Sequence, residues 1–157
     1  MAKAVEKAGR KLIASNRKAR FLYEILDSFE AGIALHGPEV KSLRAGRANL
    51  ADAYAHVRRG EIFLVNAHIS PYEEAGRENK DPRRERKLLL HRSEIGRLSG
   101  EVTERGLTLI PLSLYFKDGR AKVELALARG KKLYDKRDTE KQRSWQRERG
   151  RLLRQKG

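Results

Sequence analysis

The sequence contains no cysteine, which excludes disulfide frameworks, thiolate nucleophiles, cysteine-bound zinc and thiol redox chemistry and fits a reducing compartment. Histidine is scarce too. His36, His56, His68 and His91 are scattered, with no His-Glu-x-x-His pattern, so no metal site and no cofactor are expected. Walker loops, dinucleotide-binding glycine fingerprints and nucleophile elbows are missing; Gly130-Lys131-Lys132 lacks the upstream glycine that a phosphate loop needs. Glu30, Glu39 and Asp52 have no spacing diagnostic of a nuclease metal pair, so the chain does not read as an enzyme. Long apolar runs are absent: Leu107 to Phe116 is interrupted by Thr108, Pro111 and Ser113, far short of the roughly 20 residues that cross a bilayer. Glu6 and Lys7 break any signal-like stretch near Met1, and a soluble, cytoplasmic protein without a membrane partner is expected.

Acidic charge is in deficit. Against 36 Lys and Arg stand 21 Asp and Glu, a net charge of +15 over 157 residues with a pI near 10.4. The length suits one domain. Such an imbalance selects a polyanionic partner, nucleic acid foremost, because a merely solvated surface mixes both signs. RNA is preferred to DNA, since no recognition-helix or zinc-finger pattern occurs.

Residues 1–15 read as a flexible basic lead-in. From Phe21 to Leu35 apolar residues alternate with others, broken at Asp27, which predicts one long strand bent near Asp27 or Gly32. Gly37-Pro38-Glu39 starts a helix of about two turns that ends at Gly46, with Val40 and Leu43 inward. Residues 53–57 and 61–67 form a hairpin around Arg59-Gly60, and 70–87 reads as a loop. Ser93 caps a helix carrying Ile95, Leu98 and Val102 and stopped by Gly106. Residues 107–116 and 121–128 form a second hairpin around Asp118-Gly119, with Val123, Leu125 and Leu127 on one face.

Residues 131–157 hold almost half of the net charge and few large apolar groups, which predicts a tail disordered when free. Trp145, Leu152 and Leu153 share one face of a helix, so the tail is expected to fold on a polyanionic surface. Basic residues Arg17, Lys18, Arg20, Lys41, Arg44, Arg47, Arg83, Arg84, Arg86 and Lys87 surround a β-rich core, a combination with which small OB-type barrels bind RNA.

Specific runs add to this. Asn16-Arg-Lys-Ala-Arg20, Phe29-Glu-Ala-Gly-Ile33, Glu39-Val-Lys-Ser-Leu-Arg-Ala-Gly46, Arg86-Lys-Leu-Leu-Leu90, Pro111-Leu-Ser-Leu-Tyr-Phe116, Gly130-Lys-Lys132 and Asp135-Lys136-Arg137 resemble the bacterial SsrA-binding protein family, small protein B or SmpB, in order across 16–139. The resemblance implies a mainly β fold: a closed antiparallel β-barrel with OB-like Greek-key features and short peripheral helices over residues 16–130. It further implies an adaptor of trans-translation that binds the tRNA-like domain of transfer-messenger RNA (tmRNA, SsrA RNA) and delivers it to stalled ribosomes. The implied partners are tmRNA, the ribosome with its 16S rRNA, elongation factor Tu with GTP, and alanyl-tRNA synthetase through the RNA; a monomer is expected. Without the resemblance, a basic ribosomal or ribosome-assembly protein is the alternative.

Asn16, Glu30 and Leu89 match family positions tied to tmRNA binding. Glu30 either accepts hydrogen bonds from base amino groups or holds a neighbouring Arg or Lys, and Leu89 packs in the core or against a base. The other candidate RNA contacts are Lys18, Arg20, Lys41, Arg44, Arg86, Lys87, His91, Lys122, Lys131 and Lys132. Tyr134, Asp135, Lys136, Arg137, Trp145, Leu152 and Leu153 are the candidate decoding-site residues of a tail that becomes helical on the ribosome.

Overall fold

A computed structural model describes residues 9–131, so Lys132 and the tail residues Tyr134, Asp135, Lys136, Arg137, Trp145, Leu152 and Leu153 lie outside the described part. Strand is the commonest element in the described chain. Arg10–Ser15 forms β1, antiparallel to the strand Thr108–Lys117, here β8. For residues 10–15 this corrects the expectation of a flexible lead-in over 1–15: β8 has an open edge, and pairing there brings Ile13 and Ala14 against the core. A bulge between Leu12 and Ala14 inserts one extra residue, and Leu12 stays exposed.

The long strand also starts later than the alternation suggested. Ala19–Leu22 is a single helical turn, α1, in which the Lys18 carbonyl accepts the amides of Phe21 and Leu22 at 3.1 and 3.0 Å. The turn buries Ala19 against Ile110, Ala126 and Ala128, a small apolar cluster separate from the main core. That packing overrides the period-two pattern of 21–22. β2 then runs Tyr23–Ile33, with the anticipated irregularity between Ile25 and Asp27.

Helix α2, Gly37–Arg44, carries Pro38 in its first turn, and the Glu39 carboxylate accepts the His36 amide at 2.9 Å. Its buried face carries Glu39, Ser42 and Leu43, whereas Val40 is only half-buried. Short strands β3 (Ala48–Asn49) and β6 (His68–Ile69) pair with each other. Between them β4 (Tyr54–Arg58) and β5 (Glu61–Val65) form the expected hairpin, its turn residues Arg59 and Gly60 both at positive φ as a tight I′-type connection requires.

The connection read as a loop over 70–87 contains a 3-10 segment, Glu73–Glu78, and ends at Glu85, because Arg86–Leu89 is β7. Helix α3, Arg92–Arg105, is capped at His91 rather than Ser93: the His91 amide donates to Glu94 at 3.2 Å, which puts the reciprocal carboxylate two residues nearer the helix start. Gly106 closes it in the left-handed conformation, φ 65°. β8 and β9 (Arg120–Gly130) form the second hairpin around Asp118-Gly119.

Strand pairings follow one another around a ring, β4-β5-β7-β2-β9-β8, with β8 returning to β4 through Ala55 and Leu109 and β1 added outside. Leu43, Leu50, Ile62, Leu64, Leu88, Leu98, Leu109, Leu114, Val123 and Leu125 fill its interior.

One charged group is buried completely. Arg86, a candidate RNA contact from sequence, is 0% exposed; its Nε donates to Glu39 at 2.7 Å and its terminal nitrogens to the carbonyls of Ala67, Arg84 and Pro82. Arg84 donates to both Glu39 oxygens. No donor of Arg86 faces solvent, so the RNA assignment is withdrawn. Burial alone pushes the Glu39 carboxyl up, but its bonds to Arg84, the His36 amide and Arg86 outweigh that and hold it below 4.5.

Replacing Glu39 by Gln leaves Arg86 buried without its counter-charge and is expected to cost about 3–5 kcal/mol, read as a lower urea midpoint at unchanged m value. Because the folded carboxyl titrates below its unfolded value, its contribution is complete above 4.5 and is lost as pH falls through the folded value. The parent therefore loses more stability than Glu39→Gln on acidification from about pH 5 to about pH 3.

Candidate nucleic-acid interface

Strand register gathers the candidate residues into rows. Leu89 on β7 stands opposite Gly32 on β2, Gly32 opposite Lys122 on β9, Lys122 opposite Tyr115 on β8, and Tyr115 opposite Leu12 on β1. One row thus crosses five strands. Gly32 eases the crossing: a Cβ there would lie 3.2 Å from the Leu89 Cβ, tighter than ordinary contact, so a larger residue would press β7 back by a few tenths of an ångström. Leu89 is 52% exposed, which removes the core alternative of its two readings and leaves the other open; the strand alternation that buries Arg86 and Leu88 turns Lys87 and Leu89 outward. A shallow groove of about 340 Å³ runs past Gly32, Leu89 and Lys122.

The next row joins Glu30, Glu124, Ser113 and Ser15. Glu30 accepts the Tyr115 hydroxyl at 2.6 Å, Arg10 at 3.1 Å and Lys117 at 3.4 Å. The Arg10 guanidinium lies 4.3 Å above the Tyr115 ring. The guanidinium is therefore held twice, by the ring and by the carboxylate beside it. Of the two readings of Glu30, the geometry supports the one in which it holds neighbouring cations, since these donors already occupy both of its oxygens.

Burial alone would raise the Glu30 carboxyl, yet the Tyr115 hydroxyl, Lys117 and Arg10 keep it below 4.5. Burial and the facing carboxylate push the Tyr115 hydroxyl well up, so it remains a donor. Next to this shelf an open groove of about 400 Å³ is lined by Arg10, Leu12, Asn16, Arg17, Arg20 and Tyr115, among others. Arg10 Nε is buried there without a hydrogen-bond partner.

Asn16 fixes the groove's edge: its amide side chain donates to the Pro111 carbonyl at 3.1 Å and its backbone amide to Leu112 at 2.8 Å. Lys18 and Arg20 are exposed around α1, and Lys131 is tied to it through its amide, which donates to Leu22 at 3.0 Å. Other candidates lie elsewhere. Lys41, 5.3 Å above the Tyr72 ring, and Arg44 belong to α2. Lys87 is 3.6 Å from Glu61 on a separate groove of about 670 Å³ that Leu89 also borders, and His91 serves as the α3 cap. Among the described residues no three His, Asp or Glu side chains gather as a metal site would require.

Sequence reasoning missed Arg10, Leu12, Tyr115 and Lys117. Tyr115 was within reach, because alternation along Leu114, Tyr115 and Phe116 puts an aromatic hydroxyl on the face opposite the core.

Removing only the Tyr115 hydroxyl, as Tyr115→Phe, deletes a charge-assisted bond and is expected to cost about 1.5–3 kcal/mol in chemical denaturation. Carboxyl-carbon NMR should at the same time show the Glu30 titration moving upward toward 4.5. An unmoved titration would mean that this bond does not set the carboxylate's environment.

The family described as "SmpB protein" matches residues 13–155. An "SsrA-binding protein" of Mesorhizobium japonicum is 58% identical over 148 residues, covering 94% of this chain and 93% of its own. Another, of Gloeothece citriformis, is 60% identical over 144 residues, 91% of this chain and 93% of its own. A solved structure described as "tmRNA-SmpB: a journey to the center of the bacterial ribosome" contains a chain of 56% identity, superposing with a TM-score of 0.64 over 76% of this chain and 84% of that one.

Proposed function

The chain belongs to the SmpB protein family, and from that premise we propose that it is an RNA-binding adaptor of trans-translation and not a catalyst. It binds the tRNA-like domain of tmRNA and acts with that RNA on stalled ribosomes, leading to rescue and peptide tagging. The observation that carries this reading is the 58% identity to an SsrA-binding protein across 94% of the chain, reinforced by a solved tmRNA-SmpB neighbour of 56% identity. No helix among the described residues is long and apolar enough to cross a membrane. We assign its place to the cytoplasm and its form to a monomer, with elongation factor Tu and alanyl-tRNA synthetase as partners reached through the RNA. The strand ring is our basis for reading a closed OB-like barrel.

In this reading RNA contact is divided between two parts of the chain. The outer rows of β1, β2, β7, β8 and β9 take the tRNA-like RNA. Arg10, Arg17, Arg20 and Lys122 neutralise phosphates, Leu89 offers an apolar surface to a base, and Asn16 and Glu30 hold the cations and the groove in place. The tail beyond Gly130 acts in the decoding centre: Lys136 and Arg137 meet phosphates, Asp135 accepts from base or sugar donors, Tyr134 stacks, and Trp145, Leu152 and Leu153 dock.

A chain ending at Gly130 is expected to keep most of its affinity for the tRNA-like RNA, with a log–log salt slope of roughly 0.7–0.9 per neutralised phosphate. Loss of specific binding on truncation would remove this division. Changing Asp135, Lys136 and Arg137 together to Ala is expected to spare RNA affinity and abolish peptide tagging on stalled ribosomes. Normal tagging by that variant, or equal loss of affinity and tagging, would contradict the decoding role.

A further inference from the structure

The groove of about 670 Å³ is bordered by the tip of the β4–β5 hairpin, by β7 and by α3. Where its lining is apolar it is aliphatic: Leu88, Leu89, Leu90 and Ile95. Its charged lining is basic, with Arg59 at the hairpin tip, Lys87 on β7 and Arg92 in the first turn of α3, against the carboxylate of Glu61. That carboxylate is already engaged, since it lies 3.6 Å from Lys87. Arg59 and Arg92 are left without an ion pair among the described residues.

Two residues of the groove run against the needs of the fold alone. Arg92 puts a cation at the positive end of the α3 dipole, where helix energetics favours an acid. Gly96 sits inside α3, where glycine is a poor helix former, yet a Cβ built there meets nothing within 4 Å. Packing does not demand it. The missing side chain instead keeps one wall of the groove open.

We propose that this groove docks an acidic amphipathic helix of a partner protein, with aliphatic side chains against Leu90 and Ile95 beside Gly96 and carboxylates toward Arg59 and Arg92. Strand addition is excluded there. β5 is paired on both edges, to β4 and β7, and β7 is paired to β5 and β2, which leaves helix-in-groove docking as the mode open to a peptide. No aromatic ring of the described residues lines the groove, so the stacking platform that a single-stranded nucleic acid uses is missing. Unpaired cations around an aliphatic lining select a ligand that brings carboxylates and aliphatic groups together. Neither part depends on the adaptor reading, because Arg59, Arg92 and Gly96 lie in none of the rows assigned to RNA. Leu89 borders both grooves and for that reason is left unchanged in the test.

The full chain is titrated, under amide NMR, with a synthetic helical peptide of glutamates that carries leucines at i, i+3, i+4 and i+7. Amide shifts at Gly60, Gly96 and Ser99 are expected to saturate together. Gly96→Leu fills the groove while favouring the helix, and Arg59→Glu combined with Arg92→Glu reverses the charge of its rim; each is expected to weaken binding at least roughly tenfold. Circular dichroism verifies that each variant is folded. A peptide with serine in place of every leucine is expected to bind at least roughly tenfold more weakly than the leucine peptide. Equal binding by the serine peptide, shifts confined to other segments, or unchanged affinity in Gly96→Leu would overturn the proposal. If a short oligouridine moved the same amides and lost that effect in Gly96→Leu, the groove would be an RNA site and the protein partner would be refuted. Affinity of the parent for tRNA-like RNA, measured in parallel, reports on the adaptor reading alone, because the peptide arm stands without it.

Discussion

The buried pair of Glu39 and Arg86 sets the conditions for the rest of the molecule. Between β6 and β7 the chain passes through a strongly charged connection with little to bury, and Arg86 gathers it by binding Glu39 and the carbonyls of Ala67, Pro82 and Arg84. Fixing Arg86 inward fixes the register of β7, since a one-residue slip would exchange its two faces. Leu88 then enters the core, Lys87 and Leu89 face out, and β7 bridges β5 and β2 in the ring. An arginine that reads as surface charge is in this way the reason a leucine of the same strand stands exposed.

Carboxylates recur in this basic protein as holders of arginine. Arg10 lies over Tyr115 with Glu30 beside it, Arg58 over Phe63 with Glu85, and Arg97 over Phe29 with Asp27, at 4.3, 4.6 and 4.9 Å from the ring centres. In each case a flexible cation gains a fixed plane. For RNA recognition the benefit is entropic, because the guanidinium is ordered before the partner arrives. An acid at a surface proposed to meet phosphates is then no contradiction: its repulsion is met locally by the cations it orients.

Legibility in the sequence followed the range of the interactions involved. Both hairpins, the stop at Gly106 and the bend near Asp27 were readable because turn chemistry and alternation are local. β1 and α1 were not, because each depends on a surface made by distant strands: the open edge of β8 for Ile13 and Ala14, the cluster of Ile110, Ala126 and Ala128 for Ala19. Arg86 and Lys87 are adjacent and alike in sequence, yet one is sealed and the other exposed, because strand alternation turns Arg86 alone toward Glu39 and the inward carbonyls. The resemblance named Asn16, Glu30 and Leu89, whereas the groups that connect them, Arg10 and Tyr115, became visible through register and contact.

The central claim is that Glu30 serves RNA binding by holding Arg10 and not by touching RNA. A double-mutant cycle with Glu30→Ala and Arg10→Ala, read as affinity for the tRNA-like domain of tmRNA at fixed salt, tests it most directly. The account predicts strong coupling: once Arg10 is gone, removing Glu30 weakens binding little further. Additive losses, with Glu30→Ala costing as much in the Arg10→Ala background as in the parent, would contradict it.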